Sequence, residues 1–284
     1  MNRMKVSAVL LALVLTGVLA PALIRGQETG SLPESKAPAA SAQTAPAPTQ
    51  ATPGTTAATT ASGHPNDDYW RKHDQLLLLD FPWLARFKED DLKLGPPAEG
   101  EDRVVFMGDS ITEGWRLKDS FPGRPYINRG IGGQTTPQMV LRFHQDVIAL
   151  KPKAVIILAG INDVAENTGT MTLEQTEDNL AAMAEMAKEN HINVVLCSIL
   201  PAFDFPWHPG MMPAPKVVAL NEWIKGYAAQ QGHVFVDYYS AMKDERGGLP
   251  ATLSRDGVHP LPAGYAIMAP LAEAGIEKAF KGRE

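Results

Sequence analysis

Five short apolar runs that alternate with helix-length segments constrain the fold of this chain most strongly. The runs are RVVFMG (103–108), YINRGI (126–131), AVIILAG (154–160), INVVLCSIL (192–200) and HVFVDYY (233–239), of which YINRGI is the weakest. They are largely apolar on both faces, as the strands of a covered parallel sheet are. The helix-length segments cover 136–150, 173–190, 215–231 and 262–280.

This alternation predicts an α/β domain built from β-α units with right-handed crossovers. We expect a three-layer α/β/α, flavodoxin-like fold with a parallel five-stranded sheet. Ligands bind such sheets at the carboxyl ends of the strands. Each of the five runs is followed by a candidate for that edge of the sheet. In chain order these are Ser110, the glycines of 130–133, Asn162, the loop 201–213 and the segment 254–259. The sequence therefore predicts one site at that edge.

The N-terminal 66 residues predict export. Arg3 and Lys5 precede an uncharged, largely apolar run that contains a small-x-small cleavage pattern at 20–22. We expect residues 1–26 to be a cleaved signal peptide; an uncleaved anchor is the alternative, because the run is nearly long enough to span a membrane. Residues 27–66, rich in Ala, Thr, Pro and Ser, predict a disordered linker. The protein would then be periplasmic or extracellular, with a membrane tether if the segment is retained.

Residues 67–284 are expected to form a single folded domain that opens with one or two helical turns, broken at Pro82 and packed as an arm. A net charge of -6 argues against nucleic acid as a main partner, because phosphate binding relies on clustered Lys and Arg. Cys197, the only cysteine, lies in an apolar run and indicates a small buried side chain. The sequence carries no zinc-ligand pattern, so we expect neither a metal nor a cofactor.

Ser110 is the first candidate for chemistry, because it follows the first apolar run in the stretch FMGDSITEGW. A serine between a strand and a helix is also a preferred N-cap, so capping is the competing interpretation. A nucleophilic serine requires a base within hydrogen-bond reach, a group that orients the base, and donors for the oxyanion.

Asp256 and His259 are the candidates for the orienting group and the base. They lie three residues apart in SRDGVHP, so the carboxylate can face one imidazole nitrogen and leave the other free to accept a proton. An Asp-Gly turn with a surface histidine is the alternative.

Two further loops supply candidate oxyanion donors. In NRGIGGQTT, Gly130, Gly132 and Gly133 allow the backbone to approach a ligand closely. In LAGIND, Asn162 carries a side-chain NH2 group that can donate to the same oxygen, although Asn162-Asp163 is also typical of a helix cap.

The four blocks GDSIT, NRGIGG, GIND and DGVHP, in this order, resemble those of the SGNH or GDSL hydrolases, a superfamily of esterases and lipases. The resemblance covers the chain from about residue 103 to residue 280. It implies Ser110 as the nucleophile, His259 as the base and Asp256 as its orienting group. It further implies an oxyanion hole formed by the Ser110 N–H, Gly133 and Asn162.

The loop PAFDFPWHPGMMPAP is expected to line the substrate pocket with Phe203, Phe205, Trp207 and Met211; a loop that only covers the core is the alternative. The sequence favours a serine esterase for short acyl, especially acetyl, esters of a glycan or small alcohol. A lysophospholipase or thioesterase would use the same catalytic residues. A glycan-binding module that keeps only the fold is the third class.

Overall fold

The structure, a computed structural model, describes residues 67–282 apart from four side chains of the first helix. The helices are α1 (Asp67–Leu79), α2 (Lys88–Leu94), α3 (Ser110–Glu113), α4 (Leu117–Ser120), α5 (Thr136–Asp146), α6 (Ile161–Val164), α7 (Leu173–Glu189), α8 (Ala214–Gln231), α9 (Tyr238–Met242) and α10 (Pro262–Lys281). The strands are β1 (Val104–Gly108), β2 (Tyr126–Gly130), β3 (Ala154–Leu158), β4 (Asn193–Cys197) and β5 (Val234–Val236).

The five strands form one all-parallel sheet in the order β2-β1-β3-β4-β5. Gly108 at the end of β1 pairs with Gly130 of β2 and with Leu158 of β3, so three strands end at the same level. Helices flank the sheet: α7 and α8 pack on β4, and α10 packs across β3, β4 and β5. Every residue of β1 and β3 is buried, as their apolar runs require. The predicted flavodoxin-like α/β fold is confirmed.

The observed elements differ from the predicted ones mainly at their ends. The helix expected over 136–150 ends at Asp146, and a 3₁₀ turn over Ile148–Leu150 follows it. The run at 192–200 pairs as a strand only over Asn193–Cys197. Beyond it, both the N–H and the C=O of Ile199 bond to the side chain of Asn221 on α8. The chain therefore leaves the sheet while its backbone polar groups stay satisfied.

Residues 67–94, which we call the N-terminal arm, contain more helix than the one or two turns predicted. Helix α1 covers 13 residues and ends ahead of Pro82, where the sequence predicted the break. The Asp80 carboxylate accepts hydrogen bonds of 2.9 Å from the N–H groups of Leu84 and Ala85. These bonds close the turn around Pro82 and lead the chain into α2.

The predicted signal segment (1–26) and linker (27–66) lie outside the described residues. Within the described part of the chain, no helix combines the length and the apolar character needed to cross a membrane.

Candidate active site

The turn between β1 and α3 presents the Ser110 side chain at the carboxyl end of the sheet. Asp109, and not Ser110, is the N-cap of α3, and its carboxylate accepts a 2.9 Å hydrogen bond from the Ile111 N–H. The Ser110 hydroxyl is therefore not used for capping and lies 2.8 Å from His259 Nε2. Gly130 of β2 allows α3 to pack closely against that strand, because a Cβ there would collide with the backbone nitrogen of Glu113.

Asp256 and His259 lie in the loop before α10 and complete a chain of hydrogen bonds from Ser110. The distance from His259 Nδ1 to Asp256 Oδ2 is 2.6 Å. The other carboxylate oxygen, Oδ1, accepts from Ser254 Oγ at 3.0 Å and from the N–H groups of Val258 and His259 at 2.9 and 2.8 Å. The carboxylate is thus fixed by its own loop, and it orients the imidazole so that Nε2 faces the hydroxyl.

The surroundings of Asp256, His259 and Asp109 shift the pKa of each of these side chains. Burial alone would raise the pKa of Asp256, but the hydrogen bonds from the His259 side chain and from two backbone N–H groups hold that pKa well below its usual range. The hydrogen bond to Asp256 raises the pKa of His259, against the opposing effect of partial burial. Burial raises the pKa of Asp109 to about 7. The hydrogen bond to Asp256 therefore stabilises the imidazolium form of His259, as a proton acceptor for Ser110 requires.

Three candidate oxyanion donors follow the ends of β1, β2 and β3, which lie at the same level of the sheet. In the part of the chain that the structure describes, neither the Ser110 N–H nor the Gly133 N–H donates a hydrogen bond to a protein acceptor. The neighbouring Gly132 N–H is already occupied by Glu113 Oε2 at 2.9 Å. Asn162, which is 3% exposed, uses one amide hydrogen for the Gln134 carbonyl at 2.9 Å and keeps the other. Unpaired donors in a protected site are the arrangement that stabilises a developing anion.

Several polar residues support the site that the sequence analysis did not select. Asn167 Nδ2 donates to Asn162 Oδ1 at 2.9 Å, which fixes the orientation of the Asn162 amide. The carboxylate of Asp163, which follows Asn162 in the chain, accepts hydrogen bonds from the Thr136 N–H and hydroxyl. These bonds connect α6 to α5. Gln134 is buried behind the glycine loop. Gln134 follows Gly133 and Asp163 follows Asn162 in the chain. This adjacency to predicted donors was the sequence signal that could have identified both residues.

The four predicted pocket residues of the loop 201–213 have different surroundings. The Trp207 ring lies 6.1 Å from the His259 ring between centroids, and its Nε1 donates to Asn167 Oδ1 at 3.0 Å. Phe205 is 1% exposed and stacks behind Trp207, so it supports that ring and offers no surface of its own. Phe203 is 45% exposed and packs against the Arg246 guanidinium. Met211 is partly buried against the core.

The whole arrangement is suited to transfer of an acyl group through a serine. The His259 and Asp256 side chains are 40% and 39% exposed, so a substrate can reach the hydroxyl from solvent. Among residues 67–282, no group of three or more His, Cys, Asp or Glu side chains is placed to hold a metal ion.

Comparison with known proteins places the chain among ester hydrolases. The profile of the GDSL-like Lipase/Acylhydrolase family matches residues 106–267, which include all the candidate site residues named above. The fold is similar to the crystal structure of a GDSL-like lipase from Bacteroides thetaiotaomicron, with a TM-score of 0.69 and 46% identity. That match covers 70% of this chain and 100% of the lipase.

Two curated relatives are more distant. An acetylxylan esterase from Geobacillus stearothermophilus is 27% identical over 215 residues, which are 62% of this chain and 95% of the esterase. The crystal structure of an acetylxylan esterase from the same organism matches with a TM-score of 0.51 and 25% identity, covering 62% of this chain and 94% of that one. The uncharacterized lipoprotein YqeF of Bacillus subtilis is 30% identical over 129 residues, or 39% of this chain. The match spans only about half, 53%, of that lipoprotein.

Proposed function

This chain belongs to the GDSL-like lipase/acylhydrolase family and is a carboxylic ester hydrolase, and we propose that it is an exported serine esterase for short acyl groups. The preferred substrate in this proposal is an acetyl ester of a glycan or small alcohol. The observation that carries the proposal is the continuous hydrogen-bonded chain from Ser110 Oγ through His259 to Asp256, with distances of 2.8 and 2.6 Å.

The proposed acylation step begins when His259 Nε2 takes the Ser110 proton as Oγ attacks the ester carbonyl carbon. The carbonyl oxygen becomes an anion that accepts hydrogen bonds from the Ser110 N–H, the Gly133 N–H and Asn162 Nδ2. His259 then returns the proton to the leaving alkoxide, which departs as the alcohol, and the acyl group remains on Ser110. Asp256 stays ionised and stabilises the imidazolium throughout.

In deacylation, water is the nucleophile and Ser110 is the leaving group. His259 accepts a proton from the water molecule as its oxygen attacks the acyl carbon, and the same donors bind the second oxyanion. Collapse of this intermediate transfers the proton to Ser110 Oγ and releases the carboxylic acid. No cofactor takes part in this proposed sequence.

A glycan as the alcohol part of the substrate is supported by the openness of the site and by Trp207. A half-exposed base and its carboxylate leave room for the alcohol part of a bulky substrate. The Trp207 ring next to His259 offers an apolar face on which a sugar ring can pack. Acetylxylan esterases are among the relatives of this chain.

Export is supported by the N-terminal sequence, with its basic start, apolar run and small-residue cleavage pattern. The 27–66 segment would then be a spacer ahead of the catalytic domain. Fractionation of cells that express the full chain, followed by N-terminal sequencing, tests this part: recovery from the cytoplasm with residue 1 intact would contradict it.

The catalytic proposal is tested by hydrolysis of p-nitrophenyl esters from acetate to palmitate and of acetylated xylan by the full chain. Ser110→Ala should abolish turnover, whereas Ser240→Ala, an exposed serine on α9, should leave it unchanged. Activity limited to acetate and propionate, together with acetate release from xylan, is the expected result. A preference for long chains would favour the lysophospholipase or thioesterase reading. Turnover unaffected by Ser110→Ala would refute the role of that serine.

A further inference from the structure

Gln134 contacts three parts of the molecule next to the proposed oxyanion hole: α5, α6 and the N-terminal arm. It directly follows Gly133, is 2% exposed, and its backbone carbonyl accepts the hydrogen bond from Asn162 Nδ2. Its side-chain Oε1 accepts from Arg142 Nε at 2.6 Å, and its Nε2 donates to the Pro82 carbonyl at 2.8 Å. The Gln134 side chain therefore links the loop of Gly133 to α5 and to the N-terminal arm. The Gln134 backbone carbonyl links the same loop to the second proposed donor, Asn162.

Arg142 connects the same residue to the nucleophile turn. Its side chain is fully buried on α5, and Nη2 donates to the Gly108 carbonyl at 3.0 Å, two residues before Ser110. Nη1 forms an ion pair with Asp146 at 2.9 Å. Burial lowers the pKa of Arg142 to about 10, with Asp146 opposing the shift, so the guanidinium stays charged at neutral pH. Arg142 thus sets the spacing between the Ser110 turn and the Gln134 loop.

The N-terminal arm is held against this region by three glutamine side chains. Besides the bond from Gln134, Gln138 Nε2 donates to the Phe81 carbonyl and Gln145 Nε2 to the Leu84 carbonyl, both at 2.7 Å. Gln138 and Gln145 lie seven residues apart on α5, which places them on the same face of the helix. Gln138 also reaches that loop, because its Oε1 accepts from the Thr135 N–H at 2.9 Å. Gln134 differs in that it lies next to Gly133 and contacts both the arm and Arg142.

We propose that Gln134 is a positioning residue. It holds the loop 131–135 that carries Gly133, which we call the oxyanion loop, between Arg142 and the Pro82 carbonyl of the N-terminal arm. The inference rests on the proposed roles of Gly133 and Asn162 and adds the arm to the elements on which turnover depends. Displacement of both donors by a fraction of an ångström weakens their bonds to the transition state more than their bonds to the bound ester. Loss of the Gln134 contacts should therefore lower kcat and leave KM nearly unchanged.

The main test uses Gln134→Glu, which keeps an acceptor for Arg142 and replaces the donor to the Pro82 carbonyl with a second oxygen. We expect kcat for p-nitrophenyl acetate to fall about 10-fold or more, within the range that misplaced catalytic groups cause, with KM changed less than about 3-fold. Rates are divided by the fraction of molecules that a fluorophosphonate labels when the reaction has gone to completion, so that a loss of folded protein is not counted as a loss of turnover. Gln134→Met, which also removes the acceptor, should lower kcat further and reduce Tm.

Gln145→Leu is the matched control, because it removes one arm contact without touching the loop that carries Gly133. It also loses a 3.1 Å bond to Asp146 Oδ1, but Arg142 pairs with the other oxygen, Oδ2, which stays in place. Its kcat should stay within about 2-fold of the parent, the scatter expected for an independent site. A loss equal to that of Gln134→Glu would overturn the specific role of Gln134, since turnover would then follow arm docking in general.

A double-mutant comparison separates positioning from plain stability. If Gln134 acts through the donors, Gln134→Glu should cost less in an Asn162→Ala background than in the parent, because one positioned donor is already absent. Equal fold losses in both backgrounds would overturn the inference. If Asn162→Ala alone leaves kcat intact, the proposed oxyanion hole itself is wrong; if it lowers kcat while Gln134→Glu does not, only the positioning role fails.

Discussion

Replacement of Asp256 by asparagine tests the proposed triad most directly, because the surrounding donors decide how the new amide must face. In the parent, Oδ1 accepts from the Val258 and His259 N–H groups, and Oδ2 accepts from His259 Nδ1. In Asp256→Asn the amide oxygen is expected to keep the two backbone donors, so its NH2 group faces Nδ1. His259 must then carry its proton on Nε2, where it cannot accept the Ser110 proton.

The size of the effect follows from the cost of the opposite amide orientation. Turning the NH2 group toward the two backbone N–H groups loses two hydrogen bonds, at about 1 to 1.5 kcal/mol each. A cost of about 2 to 3 kcal/mol leaves on the order of 1% of molecules with the productive imidazole tautomer. We therefore expect kcat to fall by at least about 10²-fold and by up to about 10⁴-fold, the loss seen when a triad tautomer is wrong.

The assay is kcat and kcat/KM for p-nitrophenyl acetate between pH 5 and 10, with Asp237→Asn as the control. Asp237 caps α9 through the Ser240 N–H and has no contact with the site, so the same chemical change there should leave kcat unaltered. Because Asp256 raises the pKa of His259, the acidic limb of the residual activity should move to lower pH in Asp256→Asn. A variant within 10-fold of the parent, or an acidic limb that does not move, would refute this account of Asp256.

Three further predictions concern the donors, the cap and the loop. Asn162→Ala should lower kcat by about 10²- to 10³-fold with little change in KM, as loss of one oxyanion donor does; steady-state kinetics that show an unchanged kcat would contradict it. Folding raises the pKa of Asp109 from 3.8 to about 7, and a raised carboxyl pKa favours the folded state only at low pH. The contribution of Asp109 to the free energy of unfolding should therefore fall by about 4 kcal/mol between pH 4 and 8. Urea unfolding at both pH values should show a smaller difference for Asp109→Asn, which has no charge there; an equal difference would count against the shift. Trp207→Ala should raise KM for acetylated xylo-oligosaccharides about 2- to 10-fold, as lost ring packing of about 0.5 to 1.5 kcal/mol implies, whereas Trp223→Ala on α8 should not. Equal KM values for the two variants would exclude sugar packing on Trp207.

The layers and strand positions of this protein could be read from the sequence because they depend on local patterns. Apolar runs such as AVIILAG must be buried on both faces, and the helical period of residues 173–190 identifies a helix without any partner. The ends of the elements were less accurate. The strand at 193–197 ends where Asn221, a residue more than 20 positions away, satisfies the Ile199 backbone.

The candidate site divides in the same way. The sequence pattern selected Ser110, Asn162, Asp256 and His259, because their motifs follow strands and Asp256 and His259 are near neighbours. The resemblance to the GDSL hydrolases then singled out Gly133 among three glycines. It left open whether Ser110 was a cap, and only the fold placed Asp109 in that role and the His259 ring at the Ser110 hydroxyl. The two atoms that meet there belong to residues 149 positions apart, a separation over which local periodicity carries no information.

The tertiary structure alone decided which side chains support the site. Gln134 meets Pro82 across 52 positions and Trp207 meets Asn167 across 40, and neither pair has a spacing that marks it in the sequence. The loop 201–213 carries several large apolar side chains that the sequence did not distinguish, and only the fold separated buried Phe205 from Trp207 beside His259. Residue type and short-range period determine which elements form; which side chains meet is decided by how the elements pack, because contacts across a sheet edge depend on all the strands at once.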